Sequence, residues 1–251
     1  MKKTHYAVSD RLRLITGFEL YLAVIGTACS LFFALENSGI QTSVLDTFIH
    51  TRILSGHVLT YVFCALPCAS IFCEDLENKY IYYAVNRGKL RNYTISKVVH
   101  IYLSSVVTMV LGVLIYCLIV RIWVPWGLTS DTYYELASEG CYSSLILHSR
   151  YLLYCLAYAF NLGLLAGTLS VAASYISLYI HSRIIVLTVP ALLMLILYEI
   201  ADNSKFTVAA FEPIYKSFST DLYNLLFILL LSLIPVFLFT VLIYRRLQKK
   251  L

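Results

Sequence analysis

Charge is what this sequence has least of. Only 13% of its 251 residues are Asp, Glu, Lys or Arg, against 60% hydrophobic, whereas a soluble domain carries about a quarter charged residues. Mean hydropathy is +0.78. Too few polar side chains remain to cover a water-facing surface, so an ordinary soluble domain is excluded and lipid is the solvent for most of the chain. The sequence also lacks a G-x-x-x-x-G-K-[ST] phosphate loop, so it encodes no nucleotide-hydrolysing site of that type. Neither H-E-x-x-H nor G-x-S-x-G occurs. No cleavable leader is expected, because the first apolar run is too long and has no small-residue cleavage site before a soluble domain. The net charge of +5 comes from 19 basic residues divided among short segments, a poor match to a nucleic-acid surface.

What is present is a series of apolar runs. Windows of about 20 residues predict an all-α membrane protein with six transmembrane helices, near 14–35, 53–73, 98–120, 151–180, 184–200 and 222–244. With both termini cytoplasmic, most of the basic residues fall inside, in the stretches 2–13, 79–97, 183 and 245–250. Only Arg52, Arg121, Arg150, Lys205 and Lys216 fall outside, as the positive-inside rule requires. The whole chain, 1–251, reads as a single transmembrane domain. Residues 1–13 are either a short amphipathic helix on the inner surface or a basic tail that fixes topology. The outer loops are 121–150, with Trp123 and Trp126 at the expected interface, and 199–221, which holds Pro213 and reads as short helices re-entering the outer leaflet before the last span.

Within the spans, Pro67, Pro190 and Pro235 each remove a backbone hydrogen bond and favour a kink. Gly163 and Gly167, four apart, allow another helix to approach closely, either within the chain or across a subunit interface. Six of the seven cysteines lie in spans and read as small apolar packing residues. Cys64, Cys68 and Cys73 have near-helical spacing without accompanying His or carboxylate, so no metal site is assigned. Glu19, inside the first span, costs about 2.5–3.5 kcal/mol at mid-bilayer. It lies near enough to the inner edge to snorkel or to pair with Arg11 or Arg13.

One stretch interrupts the apolar pattern, "FCEDLENKYIYYAVNRGKLRNYTISKVV", Phe72 to Val99. Asp75 is an N-cap candidate, Glu77 falls in the first turn, Arg87 in the last, and Gly88 is placed as a stop. These marks predict a cytosolic helix over Leu76–Arg87, with Leu76, Tyr80, Tyr83 and Ala84 on one stripe. So short a helix is marginal alone in water, so its stripe needs a cover, either the membrane interface or another protein. Covering it buries a few hundred Å² of apolar area, worth several kcal/mol at about 25 cal/mol per Å².

Phe72, Glu74, Asp75 and Glu77, followed by Asn86, Arg87, Gly88, Arg91, Tyr93, Ser96 and Lys97 ahead of the next span, resemble the pattern of type-2 ABC transporter permeases. The resemblance implies a coupling helix within 74–97 that seats in a groove of a separate ATPase. Glu74, Asp75, Leu76, Glu77, Tyr80, Tyr83, Ala84, Arg87, Gly88 and Arg91 would form that contact. It also implies an exporter in a bacterial plasma membrane, with two ABC ATPase subunits carrying Mg-ATP, a second permease subunit (the same or a related chain), and an amphiphilic cargo such as a peptide or lipid-like compound. The chain itself would have no catalytic residue and no cofactor. "LSGH" at Leu54–His57 superficially matches the start of an ATPase signature, but it opens an apolar run with no other nucleotide motif. Two rival classes are an intramembrane hydrolase, built on His57, His100, His148, His181 or Glu19, and a membrane anchor or sensor that only binds partners.

Overall fold

The computed structural model describes residues 17–35, 38–69, 71–82, 90–180, 182–203, 211–214 and 220–250. The basic N-terminal stretch, Tyr83, Ala84, Arg87, Gly88 and most of the loop before the last helix lie outside the described residues. The described residues form eleven helical segments: α1 Phe18–Ala34, α2 Val44–Ile53, a 3-10 turn Ser55–Val58, α3 Leu59–Ala65, α4 Ile71–Glu77, α5 Leu90–Val120, α6 Tyr134–Glu139, α7 Ser143–Leu147, α8 Tyr151–Ile176, α9 Arg183–Asn203 and α10 Asp221–Lys250.

The expectation of six transmembrane helices is overturned. Among the described residues four helices are long and apolar enough to cross a bilayer: α5, α8, α9 and α10. The predicted first span is represented by the 17 residues of α1, which begins after Gly17. The predicted second span, 53–73, is not one helix. Leu54 is extended (φ −76°, ψ 141°) and separates α2 from the 3-10 turn, and Pro67 lies in the turn after α3. Pro67 has no N–H to continue the ladder, and the Cys68 N–H bonds the Ala65 carbonyl (3.2 Å). The Cys64 carbonyl instead accepts from the Ser105 hydroxyl of α5 at 3.0 Å. A side chain of the neighbouring helix thus satisfies the backbone group released by the break.

The described contacts define two ends of the molecule. At one end, Ser43 caps α2 by accepting from the Asp46 N–H (3.1 Å). The next orphan donors, the N–H groups of Val44 and Leu45, bond the carbonyls of Pro125 (2.9 Å) and Trp126 (3.1 Å). Asp131 accepts from Thr42, Ser43 and the Leu128 N–H, so the 121–150 segment is tied to α2. The Cys141 N–H reaches the Pro213 carbonyl, and the Tyr142 N–H reaches Asp221 at 2.9 Å. Trp126 packs on the core while Trp123 is exposed. At the other end lie Glu19, α4, the start of α5 and the start of α9, together with the end of α10, where Lys250 Nζ donates to the Leu178 carbonyl (2.7 Å) and Arg246 stacks over Tyr179.

The core lies between α5 and α8, the most extensively packed pair, with α1 and α3 against them. α5 is 31 residues long, about 46 Å at 1.5 Å per residue, and extends eight residues earlier than the span beginning at Val98. Its first turns therefore belong to the same end of the molecule as Glu19 and α4. Tyr61, Tyr116, Tyr154, Tyr158 and Phe48 are fully buried, and Phe48 meets Tyr158 edge-on with centroids 5.3 Å apart. The apolar stretch of α8 is 72% buried and that of α10 only 17%, so α8 is the central helix and α10 a peripheral one.

Candidate functional site

The interrupting stretch forms a junction at the Glu19 end of the molecule. Phe72 and Cys73, apolar residues ahead of the acidic cluster, are already helical, so Asp75 is the fifth residue of α4 and not its cap. α4 closes with bonds from Asn78 N–H to the Glu74 carbonyl and from Lys79 N–H to the Leu76 carbonyl. Lys79 then takes a left-handed conformation (φ 54°), an uncommon one for a side-chain-bearing residue. The chain turns there, and Tyr80–Tyr82 resume helical geometry.

Asp75 is buried and faces α5. Its carboxylate accepts the Tyr93 hydroxyl proton at 2.5 Å and pairs with Lys97 Nζ at 3.2 Å. Tyr93 and Lys97 are four apart and so share a helix face. The Lys97 ammonium also lies 5.7 Å from the Tyr80 ring centroid and 5.8 Å from that of Tyr93, within cation–π range. The edge of Phe72 packs on Tyr93 at 6.4 Å. Asp75, Tyr93 and Lys97, with Tyr80 beside them, thereby latch α4 to the start of α5.

A second, wetter contact links three elements. Arg183, at the start of α9, donates to Glu19 of α1 at 2.6 Å and lies 4.0 Å from Glu74 of α4. Glu19 thus pairs across the bundle with Arg183; Arg11 and Arg13 lie outside the described residues. Each of these side chains is 39–49% exposed, and exposed pairs contribute about 0–1 kcal/mol. The Asp75 latch is far more buried, with side chains 5% and 11% exposed, so the Arg183 contact is the one that costs less to open.

Of the other predicted contact residues, Leu76 packs partly on the core, Glu77 is exposed and accepts from Cys73 Sγ–H (3.4 Å), and Arg91 is exposed. Tyr82, which the stripe did not include, is 46% exposed. Gly163 and Gly167 both abut α5: a Cβ on Gly163 would sit 3.2 Å from Val106 Cα, and one on Gly167 2.6 Å from the Tyr102 ring. The structure also buries a residue that the sequence placed in an outer loop. Arg52 is 3% exposed and lies near Glu212 (3.6 Å) and the Tyr61 hydroxyl (3.5 Å). His57 Nε2 meets the Tyr198 hydroxyl at 3.0 Å across 141 residues of chain, and no local pattern could have announced that pairing. Among the described residues no group of three or more His, Cys, Asp and Glu side chains could hold a metal ion.

Four long apolar helices, α8 with α5, α9 and α10 packed around it, with an ion-paired junction at one end and a capped loop region at the other, decide the class. The chain is a multi-pass helical membrane protein. No protein-family model, curated protein or solved structure matches it.

Proposed function

We propose that this chain is the permease subunit of an ATP-driven exporter in which a separate polypeptide hydrolyses ATP. The observation that carries the reading is the Asp75–Tyr93–Lys97 latch. It makes a seven-residue helix an extension of α5, so a force applied to α4 is delivered to a membrane-crossing helix. The Glu74–Arg183–Glu19 contact supplies the second requirement, a link to α9 and α1 that costs little to break, because a relay needs two packings of similar free energy.

In this reading the ATPase grips residues 74–91, with Tyr82 and Glu77 on the exposed side and Tyr83, Ala84, Arg87 and Gly88 continuing the contact. Mg-ATP is bound by that partner. The basic end, with Arg91, Arg183, Arg245, Arg246, Lys249 and Lys250, is cytoplasmic by the positive-inside rule. A second permease subunit completes the pathway in the plasma membrane. The apolar exterior of α9 and α10 favours a cargo taken partly from the lipid, such as an amphiphilic peptide or lipid-like compound.

The test is purification of the tagged chain from its native membrane. A polypeptide with a phosphate loop and magnesium-dependent ATPase activity is expected to accompany it. That partner should be lost on Tyr83→Ala combined with Arg87→Glu, while the variant still inserts. ATP hydrolysis by the isolated chain, or an unchanged partner in the double variant, contradicts the reading.

A further inference from the structure

The interior near the outer end holds donors without acceptors. Arg52 Nε, Tyr154 Oη and Tyr158 Oη are buried and have no hydrogen-bond partner. Tyr154 and Tyr158 are one turn apart on α8 with ring centroids 6.2 Å apart, and Tyr158 packs edge-on, at 5.3 Å, against Phe48, which lies one turn before Arg52 on α2. The guanidinium is weakly engaged. Its Nη2 lies 3.5 Å from the Tyr61 hydroxyl and 3.6 Å from Glu212 Oε1, well beyond the 2.7–2.9 Å of a charge-assisted bond. Glu212 instead accepts from the Tyr198 hydroxyl at 3.3 Å, and its side chain, 16% exposed against 2% for Arg52, stands at the edge of the cluster.

A buried donor left unpaired costs free energy that an incoming acceptor recovers, and the fork of an arginine matches the two oxygens of a carboxylate or phosphate. We propose that Arg52, Tyr158 and Tyr154 form a buried site for the anionic headgroup of an amphiphile, with the Glu212 carboxylate standing at its edge as a resident competitor. The tail of such a ligand has an apolar route beside the site, because α9, which carries Tyr198, leaves Leu195 and Ile196 exposed. This site deepens the exporter reading by giving the cargo a class, acidic amphiphiles, and it rests on that reading only for the ligand's being cargo.

The experiment is equilibrium binding to the full chain in an uncharged detergent, with dodecyl phosphate, laurate, dodecanol and inorganic phosphate as probes and thermal unfolding as the check on folding. Dodecyl phosphate and laurate are expected to bind at least tenfold more tightly than dodecanol and inorganic phosphate. Arg52→Gln should weaken the acidic probes about tenfold or more. Tyr158→Phe and Tyr154→Phe keep the ring packing, so they should fold normally and weaken binding severalfold even if Arg52→Gln does not fold. Glu212→Gln should tighten binding severalfold. Equal binding of dodecanol, inorganic phosphate binding as tightly as the acidic amphiphiles, folded Tyr→Phe variants that bind as the parent does, or weaker binding in Glu212→Gln each overturn the site. Binding with the expected signs in a chain that never purifies with an ATPase keeps the site and removes the exporter. Co-purification without binding does the reverse.

Discussion

Replacing Asp75 with alanine is expected to destabilise the protein by about 3–5 kcal/mol, the usual cost of removing one partner of a buried ion pair. The substitution takes from the Lys97 ammonium, 5% exposed, the carboxylate it meets at 3.2 Å. Lys97→Met is expected to cost a similar amount, because Asp75 then keeps only the Tyr93 hydroxyl among the latch contacts. The double variant Asp75→Ala, Lys97→Met should cost less than the sum of the two single losses, since it strands neither charge of the pair. The coupling between the two sites should be about 1–3 kcal/mol. Thermal unfolding in detergent reads this as a fall of about 10 °C in each single variant, at roughly 2–4 °C per kcal/mol for a chain of this length. If the three variants prove additive, Asp75 and Lys97 are independent and α4 is not latched to α5.

The second large effect is expected at Gly167. A Cβ there meets the Tyr102 ring at 2.6 Å and the Tyr102 carbonyl at 3.1 Å. The ring is anchored, with its hydroxyl 2.9 Å from Ser232 Oγ of α10, and the carbonyl belongs to the α5 backbone. Gly167→Leu must therefore push α8 away from α5, at the interface that organises the core, and should destabilise by about 3 kcal/mol or more, at the upper end of overpacking costs. Gly167→Ala provides the diagnostic sign. In an unobstructed helix it gains up to about 1 kcal/mol from propensity; here it should be destabilising. A neutral or stabilising Gly167→Ala means that α5 and α8 do not approach this closely.

The sequence disclosed what depends on composition and on short-range spacing. The apolar runs gave α5, α8, α9 and α10 to within a few residues at most of their ends, and the four-residue spacing of Gly163 and Gly167 marked the face that packs on another helix. The break between α2 and α4 was hidden because residues 53–73 are mostly apolar and uncharged, and a proline such as Pro67 often only kinks a span. Hydropathy counts side chains and does not register an extended Leu54 or a carbonyl handed to Ser105. Asp75 read as a cap because an acid before a polar run usually is one. The deciding fact, that Phe72 and Cys73 are already wound onto the helix, depends on burial against Tyr93. Arg52 read as an outer-loop charge for a similar reason: its partner Glu212 is distant in the chain, and only the packed bundle brings them to 3.6 Å.

The central claim is the proposal that the exposed edge formed by Glu77 and Tyr82 is gripped by a motor made elsewhere. Tyr82, 46% exposed on that edge, and Leu136, 43% exposed on α6 at the opposite end, are the positions to compare. With a photo-crosslinking residue at each, illumination of intact cells followed by mass spectrometry is expected to join position 82 to a polypeptide carrying a phosphate loop and to leave position 136 without that adduct. Adducts at position 82 consisting only of phospholipid, in a particle that retains its partners, contradict the account.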